Sequence, residues 1–232
     1  MSIGDAEIKT QERVIRFFKD PEILGYQYIG NLSDYQNKNI KEDRLRQYLR
    51  LKGYADKLID AAIMQLQQEA GNLSRGVYDA NKTVYSRLKY GIPVSESPEK
   101  PPVTVQLVDE EKPLNNDFAI AEEVTVVEQS EKRPDLVVYL NGIAVAVIEL
   151  KRSSISVSEG IRQNLTNQKN SFIQSFFTTM QFCMAGNESE GLRYGTLLTG
   201  EKFYMEWKDD GFKEHEEERD PVDVRILSLI HI

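Results

Sequence analysis

With a single cysteine, the 232-residue chain can form no internal disulfide, and with only two histidines, His215 and His231, it has no basis for a Cys/His zinc site. Long hydrophobic runs are also missing. None approaches the ~18 consecutive apolar residues that span a bilayer, and no charged-then-apolar leader precedes a cleavage signal. These absences point to an intracellular, cytoplasmic protein with no membrane partner. No G-x-x-x-x-G-K-[ST] loop occurs, so ATP is not bound in that manner. Positive charge is not in excess. The net charge of -8 excludes a generally basic nucleic-acid binder, although it leaves room for a local basic groove. Much of the acid lies in Glu214, Glu216, Glu217, Glu218 and Asp220, which reads as a solvated face. There is no internal repeat.

What is present suits one large domain: 40% hydrophobic residues supply a sizeable core and 28% charged residues a polar surface. Thr10-Gln11-Glu12-Arg13 is read as opening a first helix, followed by a strand starting near Gly25-Tyr26-Gln27-Tyr28. The stretch from Lys41 to about Tyr90 has apolar residues at three and four spacing and predicts helices broken at Gly53. Ile92 to Pro102, with four prolines, reads as a loop or linker. Val103–Val108 and Phe118–Val127 predict strands, Ser156-Val157-Ser158-Glu159 a capping box, and 194–199 with 202–207 a further strand pair. Cys183, within Met180–Met184, reads as a buried core thiol. The alternation implies an α/β domain with a mixed central sheet flanked by helices, the 41–90 stretch being a helical insertion.

The informative centre is Asp135, then the apolar runs Leu136–Leu140 and Ile143–Ile148 joined by Asn141-Gly142, then Glu149-Leu150-Lys151. Asn-Gly between β-rich runs is a strong hairpin signal, and runs apolar on both faces suit the middle of a covered sheet. A carboxylate among such residues is costly unless paired or bound to a metal. Glu149 and Lys151 share one strand face; register decides whether Asp135 joins them. A two-residue turn would pair 135 with 148 and separate the acids. A three-residue loop over 140–142, with Gly142 left-handed in a bulge, would pair 139 with 143 and 135 with 147. Glu149 then becomes the diagonal neighbour of Asp135 at roughly 7 to 8 Å. That bulge, or an equivalent one, is the expectation. Two carboxylates beside an ammonium suit a cation such as Mg²⁺ and phosphodiester cleavage. The same residues could instead form a strand cap and a solvated strand end.

Arg133-Pro134-Asp135, Asn141-Gly142, Glu149-Leu150-Lys151, the helix carrying Asn167-Gln168, and Ala185-Gly186-Asn187 together resemble the N-terminal nuclease domain of the type I restriction endonuclease R (motor) subunit. That domain belongs to the PD-(D/E)XK superfamily. The resemblance covers nearly the whole chain and implies a restriction-endonuclease-like fold. It further implies a Mg²⁺-dependent domain that cuts double-stranded DNA, in a complex with modification and specificity subunits. ATP would be used only by motor domains outside this sequence. Asp135 and Glu149 are the implied metal ligands and Lys151 the catalytic lysine. The expected division is a nuclease domain over 1–225, with the insertion at about 41–90, and the apolar 226–232 as the start of the linker to the motor.

The resemblance also implies a Gln-x-x-x-Tyr motif that positions nucleic acid. Its best match is Gln168 to Phe172, with Phe in place of Tyr, and Gln163 is a second candidate. Gln168 falls on the stripe Ile161, Leu165, Phe172, Phe176, so it either reaches the site or is a satisfied core amide. An acid on the first helix often completes such sites, and Glu12 is the candidate, although acids are favoured in a helix first turn anyway. Two other functions fit: a nuclease-like docking module with a vestigial triad, and a stand-alone repair nuclease.

Overall fold

The computed structural model describes residues 3–97 and 99–207. The expected linker at 226–232, both histidines and the acidic stretch at 214–220 lie outside the described residues. In chain order the elements are α1 (Ile3–Lys19), β1 (Gln27–Asn31), α2 (Glu42–Leu51), α3 (Asp56–Gly71), α4 (Val77–Tyr90), β2 (Ile92–Val94) and β3 (Val103–Val105). There follow β4 (Phe118–Glu122), β5 (Val126–Val127), β6 (Glu131–Lys132), β7 (Leu136–Leu140), β8 (Ile143–Leu150), α5 (Val157–Asn167), β9 (Phe182–Asn187), β10 (Gly191–Gly195) and β11 (Met205–Glu206). Among the described residues the central sheet has seven strands in the order β1-β4-β7-β8-β9-β10-β11. It is mixed: β1 with β4 and β8 with β9 are parallel, the other pairs antiparallel. The fold is α/β with a mixed central sheet flanked by helices, as the sequence pattern implies, and it is restriction-endonuclease-like, as the resemblance implies. Among the described residues no helix is long and apolar enough to cross a membrane.

Every residue of β7 and β8 is buried, as strands apolar on both faces require. One face carries Leu136, Val138 and Ile148 into a core shared with Ile15 of α1, Leu45 and Leu49 of α2, and Ile59 and Leu66 of α3. The other carries Val137, Tyr139 and Val147 against Phe176 and Phe177, in a 3₁₀ turn at Gln174–Thr179.

The hairpin between them corrects the expected register. Asn141 (φ 52°) and Gly142 (φ 83°) are both left-handed, making a two-residue turn that pairs Leu140 with Ile143 and Tyr139 with Ala144. The pairing then slips by one, so that Val138 faces Ala146 and Leu136 faces Ile148. Val145 is the extra residue of a bulge inside β8, not in the loop. Its neighbours report the switch of face: Ala144 and Val147 join one core cluster, Val145 and Ala146 the other. Continued by one residue, this register sets Asp135 directly opposite Glu149 instead of on its diagonal.

Other local expectations shift too. The first helix begins at Ile3, well before Thr10. The proline-rich stretch begins as β2, which pairs with β3 in a separate small sheet. The strand expected over 194–199 is β10, ending at Gly195; Leu198 has φ 61° and breaks the extended run. From 201 to 203 the chain makes a 3₁₀ turn, leaving β11 as two residues.

The turn tests the register. A Cβ at Gly142 would meet Lys41 O at 2.7 Å and Leu45 N at 2.8 Å, whereas at Gly53, also left-handed at φ 84°, it meets nothing within 4 Å. Gly53→Ala should therefore cost about 1 to 2 kcal/mol for its backbone alone, and Gly142→Ala a further ~1 to 3 kcal/mol for the clash. Urea unfolding of the two variants measures the difference.

Candidate active site

The open end of the β7–β8 hairpin carries the charged residues. Asp135 precedes β7, and its Oδ2 accepts the backbone N–H of Leu150 at 2.6 Å, which locks the carboxylate across the strand pair. Glu149 is 0% exposed. Its Oε2 accepts from Gln163 Nε2 at 2.5 Å, while its Oε1 is buried with no hydrogen-bond donor. Lys151, half-buried, ties its backbone N–H to Gly186 O at 2.9 Å, and its ammonium lies within electrostatic reach of Glu149. Burial pushes the Glu149 carboxyl well above the usual carboxylate range, the charge of the facing Asp135 adds to this, Lys151 pulls it back, and a carboxyl–carboxyl hydrogen bond with Asp135 and the charge of Glu123 raise it further.

Helix α5 forms the wall over this pair. Ser156 caps it, accepting from Ser158 N at 3.3 Å, and Glu159 pairs with Arg162 instead of closing the capping box. Gly160 permits the close approach: a Cβ there would meet Ala185 Cβ at 3.0 Å and Glu149 Cβ at 3.5 Å. One turn on, Gln163 reaches Glu149, and Asn164 donates to Met184 O at 2.8 Å.

The expected positioning residues separate. Gln163 touches the carboxylate. Gln168 lies beyond the end of α5, buried, donating to Cys183 Sγ at 3.5 Å and accepting from Leu198 N at 2.7 Å. It is a satisfied core amide that props the left-handed Leu198. The helix stops at Asn167, so Phe172 does not continue its stripe. Burial pushes the Cys183 thiol up to about 12, consistent with an inert core position. Glu12 is exposed on α1; the neighbouring Gln11 is the residue turned inward. Gln11 Nε2 donates to Glu122 Oε2 at 3.0 Å and Glu123 Oε1 at 3.3 Å, and Tyr28 OH donates to Glu122 Oε1 at 2.7 Å. Glu123 also pairs with Arg133 at 2.9 Å. Sequence pattern alone does not single out Glu122 and Glu123; two acids closing the apolar run Phe118–Ala121, next to the central hairpin, are the available signal.

The residues fit a hard divalent cation. With both carboxyls ionised, Asp135 and Glu149 repel in a low-dielectric setting, and the donorless Glu149 Oε1 is relieved by a proton or a cation. Among the described residues no group of three or more His, Cys, Asp or Glu side chains is placed to hold a metal. Asp135 and Glu149 would supply two carboxylates to such an ion and leave its other positions to water and substrate.

Residues 7–203 match the family model described as the type I restriction enzyme R protein N terminus. The chain belongs to that family. Comparison with curated proteins finds no match. Membership gives the paired acids a context: the family is that of a restriction-enzyme R protein, and the site lies within the matched span.

Burial of Glu149 has a measurable consequence without metal. Its folded value is raised, so the folded chain holds a proton that the unfolded chain releases, and stability falls as pH climbs through the window above the ordinary glutamate value. In a chelator-containing buffer near neutral pH, Glu149→Gln should be more stable than wild type by on the order of 1 to 3 kcal/mol, and its unfolding midpoint should lose that decline with pH.

Proposed function

We propose that the chain is the Mg²⁺-dependent endonuclease domain of a type I restriction enzyme R subunit, hydrolysing phosphodiesters of double-stranded DNA. The observation that carries this is the fully buried Glu149 carboxyl opposite Asp135 and beside Lys151, in a chain of this family. Asp135 and Glu149 would hold the ion, which when bound lowers the pKa of a water and offsets phosphate charge. Gln163 fixes the rotation of the Glu149 carboxylate through Oε2 and keeps Oε1 as the ligand atom. The Leu150 N–H does the same for Asp135. Lys151 supplies a compact positive charge to meet the negative charge that develops on the phosphate oxygens during attack. α5 excludes water from the inner side of the carboxylates. On this reading residues 1–225 are the nuclease domain and α2–α4 its helical insertion. Motor domains outside this sequence use ATP to translocate DNA before double-strand cleavage, alongside modification and specificity subunits in the cytoplasm.

Calorimetric titration of Mg²⁺ or Mn²⁺ tests the reading. Wild type and Lys151→Ala should show saturable binding, and Asp135→Ala and Glu149→Ala should lose it or weaken it at least about tenfold. Lys151→Ala should nevertheless abolish cleavage in the assembled enzyme. Equal titrations in all four proteins would remove the metal site and favour a docking role for the domain.

A further inference from the structure

A second cation stands at the edge of the site, and its pairing is unusual. Glu123, the residue after β4, has a left-handed backbone (φ 51°), which a glutamate adopts at a cost. In return, the N–H of Glu123 donates to Asp135 O at 2.8 Å and that of Val124 to Pro134 O at 3.0 Å, laying residues 123–124 against 134–135. Glu123 Oε2 then meets Arg133 Nε at 2.9 Å, with side-chain exposures of 26% and 56%. From the opposite side Gln11 holds Glu123 Oε1, so the carboxylate is fixed while the arginine remains largely in solvent.

Resting on the nuclease reading, we propose that Arg133 is a backbone-phosphate contact for DNA entering the site, held on Glu123 until a phosphate displaces it.

Three features support this. An exposed ion pair contributes only about 0 to 1 kcal/mol, so it opens readily. A guanidinium presents a planar fork of donors that matches a phosphate. The location also favours a cation: Glu123 and Asp135 both act electrostatically on Glu149 in a chain of net charge -8, and an arginine beside Asp135, in addition to Lys151, offsets that repulsion for an approaching polyanion. Pairing with Glu123 keeps that arginine in place when no DNA is bound.

Fluorescence anisotropy of a labelled duplex oligonucleotide, in Ca²⁺ and in chelator, over a range of NaCl concentrations, tests the proposal. Arg133→Ala should bind on the order of tenfold more weakly, with a salt slope shallower by about 1. Arg133→Lys should retain the slope. Glu123→Gln should tighten binding, and the tightening should vanish in the Arg133→Ala background, because the carboxylate acts through the arginine. An unchanged slope in Arg133→Ala overturns the proposal. So does equal tightening by Glu123→Gln with and without Arg133, which would be plain removal of a negative charge. Absence of duplex binding by wild type with an intact Mg²⁺ titration overturns this inference alone, whereas loss of the titration overturns the metal-site reading and leaves the anisotropy series interpretable.

Discussion

One extra residue in β8 determines where the chemistry can occur. Side chains in a strand alternate, so a hairpin closed by a two-residue turn with regular pairing would direct Asp135 and Glu149 to opposite faces of the sheet. Val145 is that extra residue, and it cannot slide easily. Its carbonyl accepts from Gln181 N at 2.7 Å, just before β9, and the turn above it is pinned by the buried Asn141 amide. Asn141 Oδ1 accepts from Asp117 N at 2.7 Å, and its Nδ2 donates to Leu107 O and Asn116 Oδ1, both at 2.8 Å. With the turn fixed at one end and the bulge fixed in the middle, the open end of the hairpin has one register.

That register brings a second requirement. Facing acids in a dry setting push one another toward neutrality, and the surrounding elements limit how far. α5 comes close through Gly160 and lends Gln163 to one oxygen; Lys151 adds a positive charge just past the end of β8. α1 is tied in at two places, through Gln11 to Glu122 and Glu123 and through Thr10 and Arg13 to Glu188 at 3.3 and 3.2 Å. The basic groups near the site are thus largely engaged with acids: Arg133 with Glu123, Arg13 with Glu188, Arg162 with Glu159 and Glu201. A net negative domain can contact DNA on such terms, since each pair can exchange its carboxylate for a phosphate.

The α/β class and the covered hairpin were legible because hydrophobic pattern and the Asn-Gly turn determine them, and so was the need for a bulge if Asp135 and Glu149 are to share a face. The location of the bulge was not. Asn-Gly does specify a two-residue turn, and within Ile143–Ile148 any alanine or valine could be the extra residue, so sequence required a bulge without placing it. Gln163 and Gln168 were separable only once the end of α5 was known. Gln11 and Glu12 differ by about 100° around a helix, and the choice between them depends on a phase that a helix start at Thr10, instead of Ile3, does not set. Glu123 was hidden for a different reason: its position follows from a left-handed backbone that no propensity favours for glutamate.

Departures from local preference are unevenly distributed along the hairpin. At the turn end, left-handed positions are occupied by Asn and Gly, which tolerate them, and the buried Asn141 amide is fully bonded. At the open end stand a glutamate in left-handed backbone, a fully buried carboxylate with a donorless oxygen, and a helix packed through a glycine beside Asn164, whose Oδ1 is also buried without a partner. Each is individually unfavourable, as is the unpartnered buried hydroxyl of Tyr139 between the two ends. A site built from such groups comes at the expense of local stability. The apolar strands between the two ends make this possible. Buried on both faces from Leu136 to Ile148, they contribute enough packing to hold two carboxylates together that in a less anchored hairpin would turn out to solvent.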